Sequence, residues 1–184
     1  MRLEPLARRH APALFAAGQA DSIWTYLLIP RFASVAETEV WIDEALTAQG
    51  NGSEVPYTTV RVSDGVVVGS TRFLDIKRAH RTLEIGWTWL APEAQRTPVN
   101  TEAKYMMLRR AFDEWGALRV QLKTDARNEK SRAAIQRIGA KFEGVLRKQL
   151  LRAHDGYQRD SAMFSVIAPE WPEAKAALEA KLAR

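Results

Sequence analysis

The sequence predicts a single α/β domain over residues 1–184, with a mixed, mostly antiparallel central sheet flanked by helices. Three observations carry that expectation. Runs of alternating β-branched and aromatic residues meet at Asp64-Gly65 and again at Asp155-Gly156, pairs that tolerate positive φ and so close hairpins. Between the two hairpins the period lengthens to that of a helix and then returns, as in a strand-helix-strand crossover. With 46% apolar and 27% charged side chains over 184 residues, the chain can bury one sizeable core.

From the N-terminus, Ala7 to Gln19 reads as a short amphipathic helix with Ala7, Ala11, Leu14 and Phe15 apolar and Gly18 near its end. A second helix is expected over Val35 to Gln49, capped by Ser34 and broken by Gly50, Asn51 and Gly52. Tyr57–Val62 and Val66–Ile76 then form the first hairpin. In the third strand Leu83, Ile85, Trp87 and Trp89 alternate with Glu84, Gly86 and Thr88, which places Glu84 opposite the aromatic side chains. Thr101 to Trp115 is helical, with Ala103, Met107, Ala111 and Phe112 on one side and Lys104, Arg109, Asp113 and Glu114 mostly on the other, and Gly116 ends it. A short strand through Val120, Leu122 and Thr124 comes next, then a helix from Glu129 to Ile138 closed by Gly139. Phe142–Leu151 and Tyr157–Ile167 make the second hairpin, and a terminal helix occupies about 172–183. No internal repeat or linker divides the chain.

Composition narrows the chemistry. The chain has no cysteine, which removes disulfides, thiolate metal sites and a cysteine nucleophile together. His10, His80 and His154 are far apart and off ligand spacing, so no metal is expected. A formal charge of +5 favours an anionic partner, but the basic residues are dispersed and no direct nucleic-acid binding is expected. No apolar run reaches bilayer length and Met1 to Pro5 lacks the apolar stretch of a signal peptide, so the expected address is the cytoplasm, with no membrane partner.

The informative segment is Ala91-Pro92-Glu93-Ala94-Gln95-Arg96-Thr97-Pro98-Val99-Asn100-Thr101-Glu102-Ala103, between the third strand and its helix. A strand that turns sharply into a helix exposes free backbone N–H groups at the helix start, which suit a pyrophosphate. Arg96 adds positive charge at that mouth. As residues alone, the segment also fits an ordinary strand-to-helix turn, and Asn128 fits a helix cap.

Here the sequence resembles the GCN5-related N-acetyltransferases (GNAT family), in the branch typified by enzymes that acetylate the N-termini of ribosomal proteins. Gln95 to Asn100 align with the family's cofactor loop, written Q/R-x-x-G-x-G/A, and Thr101-Glu102-Ala103 match the threonine-glutamate-alanine common in that branch. Leu83-Glu84-Ile85-Gly86-Trp87, Asn128-Glu129-Lys130-Ser131 and Ile138-Gly139-Ala140-Lys141-Phe142-Glu143-Gly144 match at the family's spacing, so the resemblance covers almost the whole chain. Both loop glycines are replaced: Pro98 removes one N–H donor, and Asn100 adds a side chain.

The resemblance implies acetyl-CoA as acetyl donor, with no metal, and a primary amine as acceptor, either a protein N-terminus or a small molecule. It implies cofactor contacts from Leu90, Gln95, Arg96, Thr97, Val99, Asn100, Thr101, Asn128, Lys130 and Arg132. Asn128 is expected on the pantetheine arm and Ser131 as proton donor to the departing thiolate. A backbone N–H near Leu90 is expected to polarise the thioester, and Glu84 to accept the amine proton, with Asp160 as the weaker choice. The family's alternative base position falls near Leu150 and does not carry over. Trp24 and Tyr26 are candidates for acceptor contacts, in a loop. A non-catalytic acyl-CoA-binding protein on the same fold is the competing expectation, and a homodimer is left open.

Overall fold

The computed structural model describes residues 1–183. Its strands are β1 (Arg2–Pro5), β2 (Val55–Val60), β3 (Val67–Lys77), β4 (Thr82–Leu90), β5 (Arg119–Asp125), β6 (Lys141–Arg152) and β7 (Tyr157–Ile167). They form one seven-stranded sheet in the order β1-β2-β3-β4-β5-β7-β6. Every neighbouring pair is antiparallel except β4–β5, the two strands joined by the crossover. The helices are α1 (Ala11–Ala17), α2 (Asp21–Trp24), α3 (Val35–Gly50), α4 (Val99–Arg109), α5 (Glu129–Arg137) and α6 (Trp171–Leu182).

Local chemistry explains the boundaries. Ser34 Oγ accepts the Glu37 N–H at 3.1 Å, which satisfies one of the free donors of α3, while the Glu37 carboxylate accepts the Ala33 N–H at 2.8 Å and ties the preceding loop to the first turn. The first helix is shorter than expected: a 3-10 turn over Arg8–His10 precedes α1, and Pro12 lies in the first turn of α1. Strand β1 and helix α2, each of four residues, were not foreseen. Helix α4 starts two residues earlier than expected and ends in a wider turn over Arg110–Glu114, before Gly116 with φ 61°.

Two apolar cores sandwich the sheet. Phe73, Leu83, Ile85, Leu122 and Phe164 pack with Met107 and Leu108 of α4 and with Trp171 and Leu178 of α6. On the other face Leu14, Trp24, Phe32, Trp41, Ile42 and Trp89 form the second core under α1 to α3.

One irregularity positions the site. Pairing between β3 and β4 jumps from Arg72↔Gly86 to Ser70↔Trp89, so β4 carries one extra residue, and Trp87 takes φ 48°. Such a bulge reverses the phase of the strand beyond it. Leu83 and Ile85 face α4, and so does Thr88, whose hydroxyl meets Thr71 at 2.7 Å and the Lys104 ammonium at 2.6 Å. Trp87, which lies against the Arg72 guanidinium, and Trp89, which packs on Trp24, fall on the opposite face. The expected separation of Glu84 from these aromatic side chains is therefore corrected: all three share one face. Gly86 is the remaining member of that face. A Cβ there would lie 2.9 Å from Glu84 Oε1 and 3.0 Å from Leu74 Cδ2, which explains why no side chain stands at this position.

Candidate functional site

Strands β4 and β5 pair only where Thr82, Leu83 and Glu84 meet Arg119, Val120 and Gln121. Beyond Glu84, β4 stays with β3 and β5 stays with β7, so the sheet splits. Ligands in open α/β sheets bind in such a crevice at the carboxyl ends of parallel strands. Leu90 pairs opposite Gly69, and the flanking Ala91 N–H bonds to Val68 O at 2.8 Å, which marks a non-hydrogen-bonded pair. The Leu90 N–H and C=O therefore turn away from β3 into the split, and the C=O accepts Gln95 Nε2 at 2.8 Å. The Leu90 side chain is buried with Val68, Ala94 and Val99.

Both helices that come after the parallel strands begin beside this opening. Ahead of α4, Arg96 adopts φ 61° and Thr97 Oγ1 bonds back to Ala94 O at 2.7 Å, a turn that keeps the loop compact without the missing glycines. Pro98 supplies the N-cap position and accepts the Glu102 N–H through its carbonyl at 2.9 Å. The Asn100 and Thr101 N–H groups donate to no acceptor among the described residues. Two unpaired donors at the positive end of a helix are suited to an oxyanion such as a pyrophosphate.

Across the split, Asn128 caps α5 by accepting the Ser131 N–H at 3.0 Å, and its Nδ2 donates to no acceptor among the described residues. Ser131 is half-buried and its hydroxyl has no partner among the described residues. Lys130 Nζ, at the start of α5, reaches Gln95 Oε1, and Arg137 Nη2, at the end of α5, reaches Thr101 Oγ1 at 3.3 Å, so both ends of α5 are tied to the segment that opens α4. Arg132 instead bonds to Ala126 O at 3.1 Å and lies over Phe142 at 5.5 Å.

Glu84 lies at the foot of the split, 3% exposed. Lys123 Nζ at 2.9 Å and Gln121 Nε2 at 3.0 Å both bond to its Oε2, leaving Oε1 beside Gly86 with no hydrogen-bond donor among the described residues. A cavity of about 190 Å³ adjoins Glu84, lined also by Asp75, Lys77, Arg119 and Gln121. Asp160 fits the role of base less well, because its Oδ1 already accepts the Lys148 N–H at 2.7 Å and strand alternation turns it to the other face from Arg159 and Ser161.

The two aromatic candidates part company. Trp24, expected in a loop, closes α2 and is 5% exposed; its indole donates to Gly18 O at 2.7 Å and its ring packs between Phe32 and Trp89. Its place is structural, behind Trp89. Tyr26 is half-buried under the Arg127 guanidinium, which also stacks on Tyr157 at 4.0 Å. Arg152 ties this group down by donating to Thr25 O at 2.7 Å. Arg127, Tyr157 and Arg152 were not singled out from the sequence, where nothing marks them as meeting.

The sequence reading also missed Lys104. Expected on the polar side of its helix, it is 5% exposed, and its ammonium is held by Thr71 at 3.0 Å and Thr88 at 2.6 Å beside the bulge. Burial alone pushes its pKa down to about 7. The available signal was spacing, since residue 104 shares a helix face with Met107, Leu108 and Ala111.

Among the described residues, no cluster of three His, Asp or Glu side chains could hold a metal ion, and no helix is long and apolar enough to cross a membrane. A family model described as acetyltransferase (GNAT) domain matches residues 1–141. The Bacillus subtilis (strain 168) protein named "Putative ribosomal N-acetyltransferase YdaF" is 32% identical over 112 residues, 61% of this chain and 60% of that protein. The chain thus spans about three-fifths of the length of that relative. The crystal structure of a GCN5-related N-acetyltransferase from Brucella melitensis matches with a TM-score of 0.90 at 33% identity, covering 97% of this chain and 80% of that one. Mycobacterium smegmatis RimJ, solved in complex with CoA-disulfide, matches with a TM-score of 0.84 at 24% identity over 97% and 88% of the two chains, a likeness of fold alone. A split sheet with two helix starts facing the opening, and a family model covering most of the residues, lead to one conclusion: the chain belongs to the GNAT family of acetyltransferases.

Proposed function

We propose that the protein transfers an acetyl group from acetyl-CoA to a primary amine, a protein N-terminus or a small amine, by direct attack in a ternary complex. The observation that carries this reading is the pair of unpaired amides, Asn100 and Thr101, at the start of α4 beside the split, with the Leu90 N–H turned into the same opening. Acetyl-CoA supplies the acetyl group as a reactive thioester. The amides of Asn100 and Thr101, with Gln95, Arg96, Thr97 and Val99 shaping the loop, hold the pyrophosphate, and Lys130 lies close enough to this loop to reach further phosphate. The Leu90 N–H stabilises the oxyanion that develops on the carbonyl. Glu84 Oε1 takes the proton from the attacking amine through a chain of waters along the split, and the adjoining cavity gives that proton a way out. The new N–C bond forms as the C–S bond breaks, and Ser131 returns a proton to the thiolate. Asn128 Nδ2 is free to bind the pantetheine arm. Tyr26 lines the acceptor side.

The cofactor half of this reading is tested at Thr101. Thr101→Pro removes one of the two free amides but stays within the first turn of α4, where proline is tolerated. A hydrogen bond to a charged group contributes about 1.5–3 kcal/mol, so calorimetry is expected to show acetyl-CoA binding weakened by at least about tenfold. A folded Thr101→Pro variant with unaltered affinity would place the pyrophosphate elsewhere.

A further inference from the structure

Arg159 is 7% exposed on β7, and its one hydrogen bond runs from Nε to Ser161 Oγ at 3.1 Å. Among the described residues its two terminal nitrogens donate to nothing, and they are not among the polar atoms sealed from solvent. The two carboxylates whose fields reach it, Asp125 and Glu84, are each already held by another cation: Arg127 grips Asp125 at 2.9 Å and Lys123 grips Glu84 at 2.9 Å. Glu84, Asp125, Lys123, Arg127 and Arg159 thus bring two negative and three positive charges to one side of the sheet. A guanidinium does not shed its proton to escape this, so the surplus charge stays.

We propose that Arg159 is an acceptor-binding residue whose free guanidinium nitrogens take an oxyanion, a carboxylate or a phosphate, carried by the amine acceptor on the Glu84 side of the split. This rests on the transferase reading above and sharpens it to amines that also bear an anionic group. A buried charge without a counter-charge is costly, and a bidentate oxyanion is the partner that fits the open end of an arginine fork. The position agrees with that role. Arg159 lies level with the end of β5, where Asp125 pairs with Ser161 and β4 has already left β5, so it borders the wide end of the split. Burial draws its pKa down, and Asp125 and Glu84 offset this only in part, as befits a guanidinium stripped of water without gaining an ion pair.

The test is an NMR titration of the full chain saturated with CoA, so that the phosphate loop is filled, using acetate in one arm and inorganic phosphate in the other. One of the two anions is expected to bind at millimolar concentration and shift the Arg159 Nε–H resonance, and Arg159→Gln is expected to weaken that binding at least about tenfold with CoA affinity unchanged. Preference for acetate identifies a carboxylate-bearing acceptor, and preference for phosphate a phosphorylated one. Should Arg159→Gln fail to fold, Arg159→Lys keeps the charge but loses the fork, and it is expected to weaken binding several-fold. If neither anion moves the Nε–H resonance, or if the folded variant binds both as tightly as the wild type, the proposal is overturned. The titration needs no turnover, so loss of the transferase reading would show separately, as absent thiol release with anion binding intact.

Discussion

Replacing Glu84 by Gln is expected to lower kcat by about 10² to 10⁴, the usual contribution of a positioned general base, with acetyl-CoA affinity and fold retained. The substitution is close to isosteric, and the amide can still accept from Gln121 through its oxygen. Lys123 loses its ion pair, but its side chain is 22% exposed and can turn toward water, which limits the structural cost. The proposed cofactor contacts are untouched, because the free amides of Asn100 and Thr101 lie at the start of α4 while Glu84 lies at the foot of the split. The deficit is expected to shrink as pH rises, since more of the acceptor amine is then already unprotonated and needs no base. Wild-type turnover in Glu84→Gln at every pH would mean that the amine loses its proton to bulk water or to Asp160.

The second large effect is on stability. Lys104→Met is expected to raise the melting temperature below pH 7, with the gain disappearing toward pH 10. In the folded protein the Lys104 pKa is about 7, against 10.5 when exposed. Between these values the unfolded chain holds a proton that the folded chain lacks, so stability rises with pH across that window; below about 7 both states are protonated and the penalty is complete and constant. At about 1.4 kcal/mol per unit, the full penalty is on the order of 5 kcal/mol, part of which the two threonine hydrogen bonds offset. Methionine fills a similar volume, and Thr71 and Thr88 remain satisfied by each other at 2.7 Å. A net gain of about 2 kcal/mol corresponds to about 4–8 °C for a chain of this length. A melting-temperature difference between variant and wild type that does not change from pH 6 to pH 10 would show that Lys104 does not titrate in this window.

A feature was legible in the sequence to the extent that its signal is local. Ser34 and Glu37 sit three residues apart and form the cap that spacing implies. Gly65 and Gly156 take the positive φ that their turns require, at 72° and 71°. The sharp turn ahead of α4, the Asn128 cap and the strand-helix-strand crossover were likewise readable, because each depends on neighbours in the chain. The β4 bulge was not. A tryptophan at φ 48° has no sequence signature, and one inserted residue was enough to move Trp87 and Trp89 onto the face of Glu84. Trp24 was misplaced because α2 is too short for periodicity to reveal it. Lys104 was assigned to water by residue type although its spacing placed it inside, and Arg159 was hidden because the charges around it come from three separate strands or loops.

Acetyl transfer to an amine is tested most directly by measuring free thiol released from acetyl-CoA across a panel of amines and N-terminal peptides, with mass analysis of the acceptor. The expected result is thiol release that requires an amine, with one acetyl group found on that amine for each thiol formed. Tight acetyl-CoA binding without thiol release above the uncatalysed rate for any amine would contradict amine acetylation, and would favour a protein that binds the cofactor without using it.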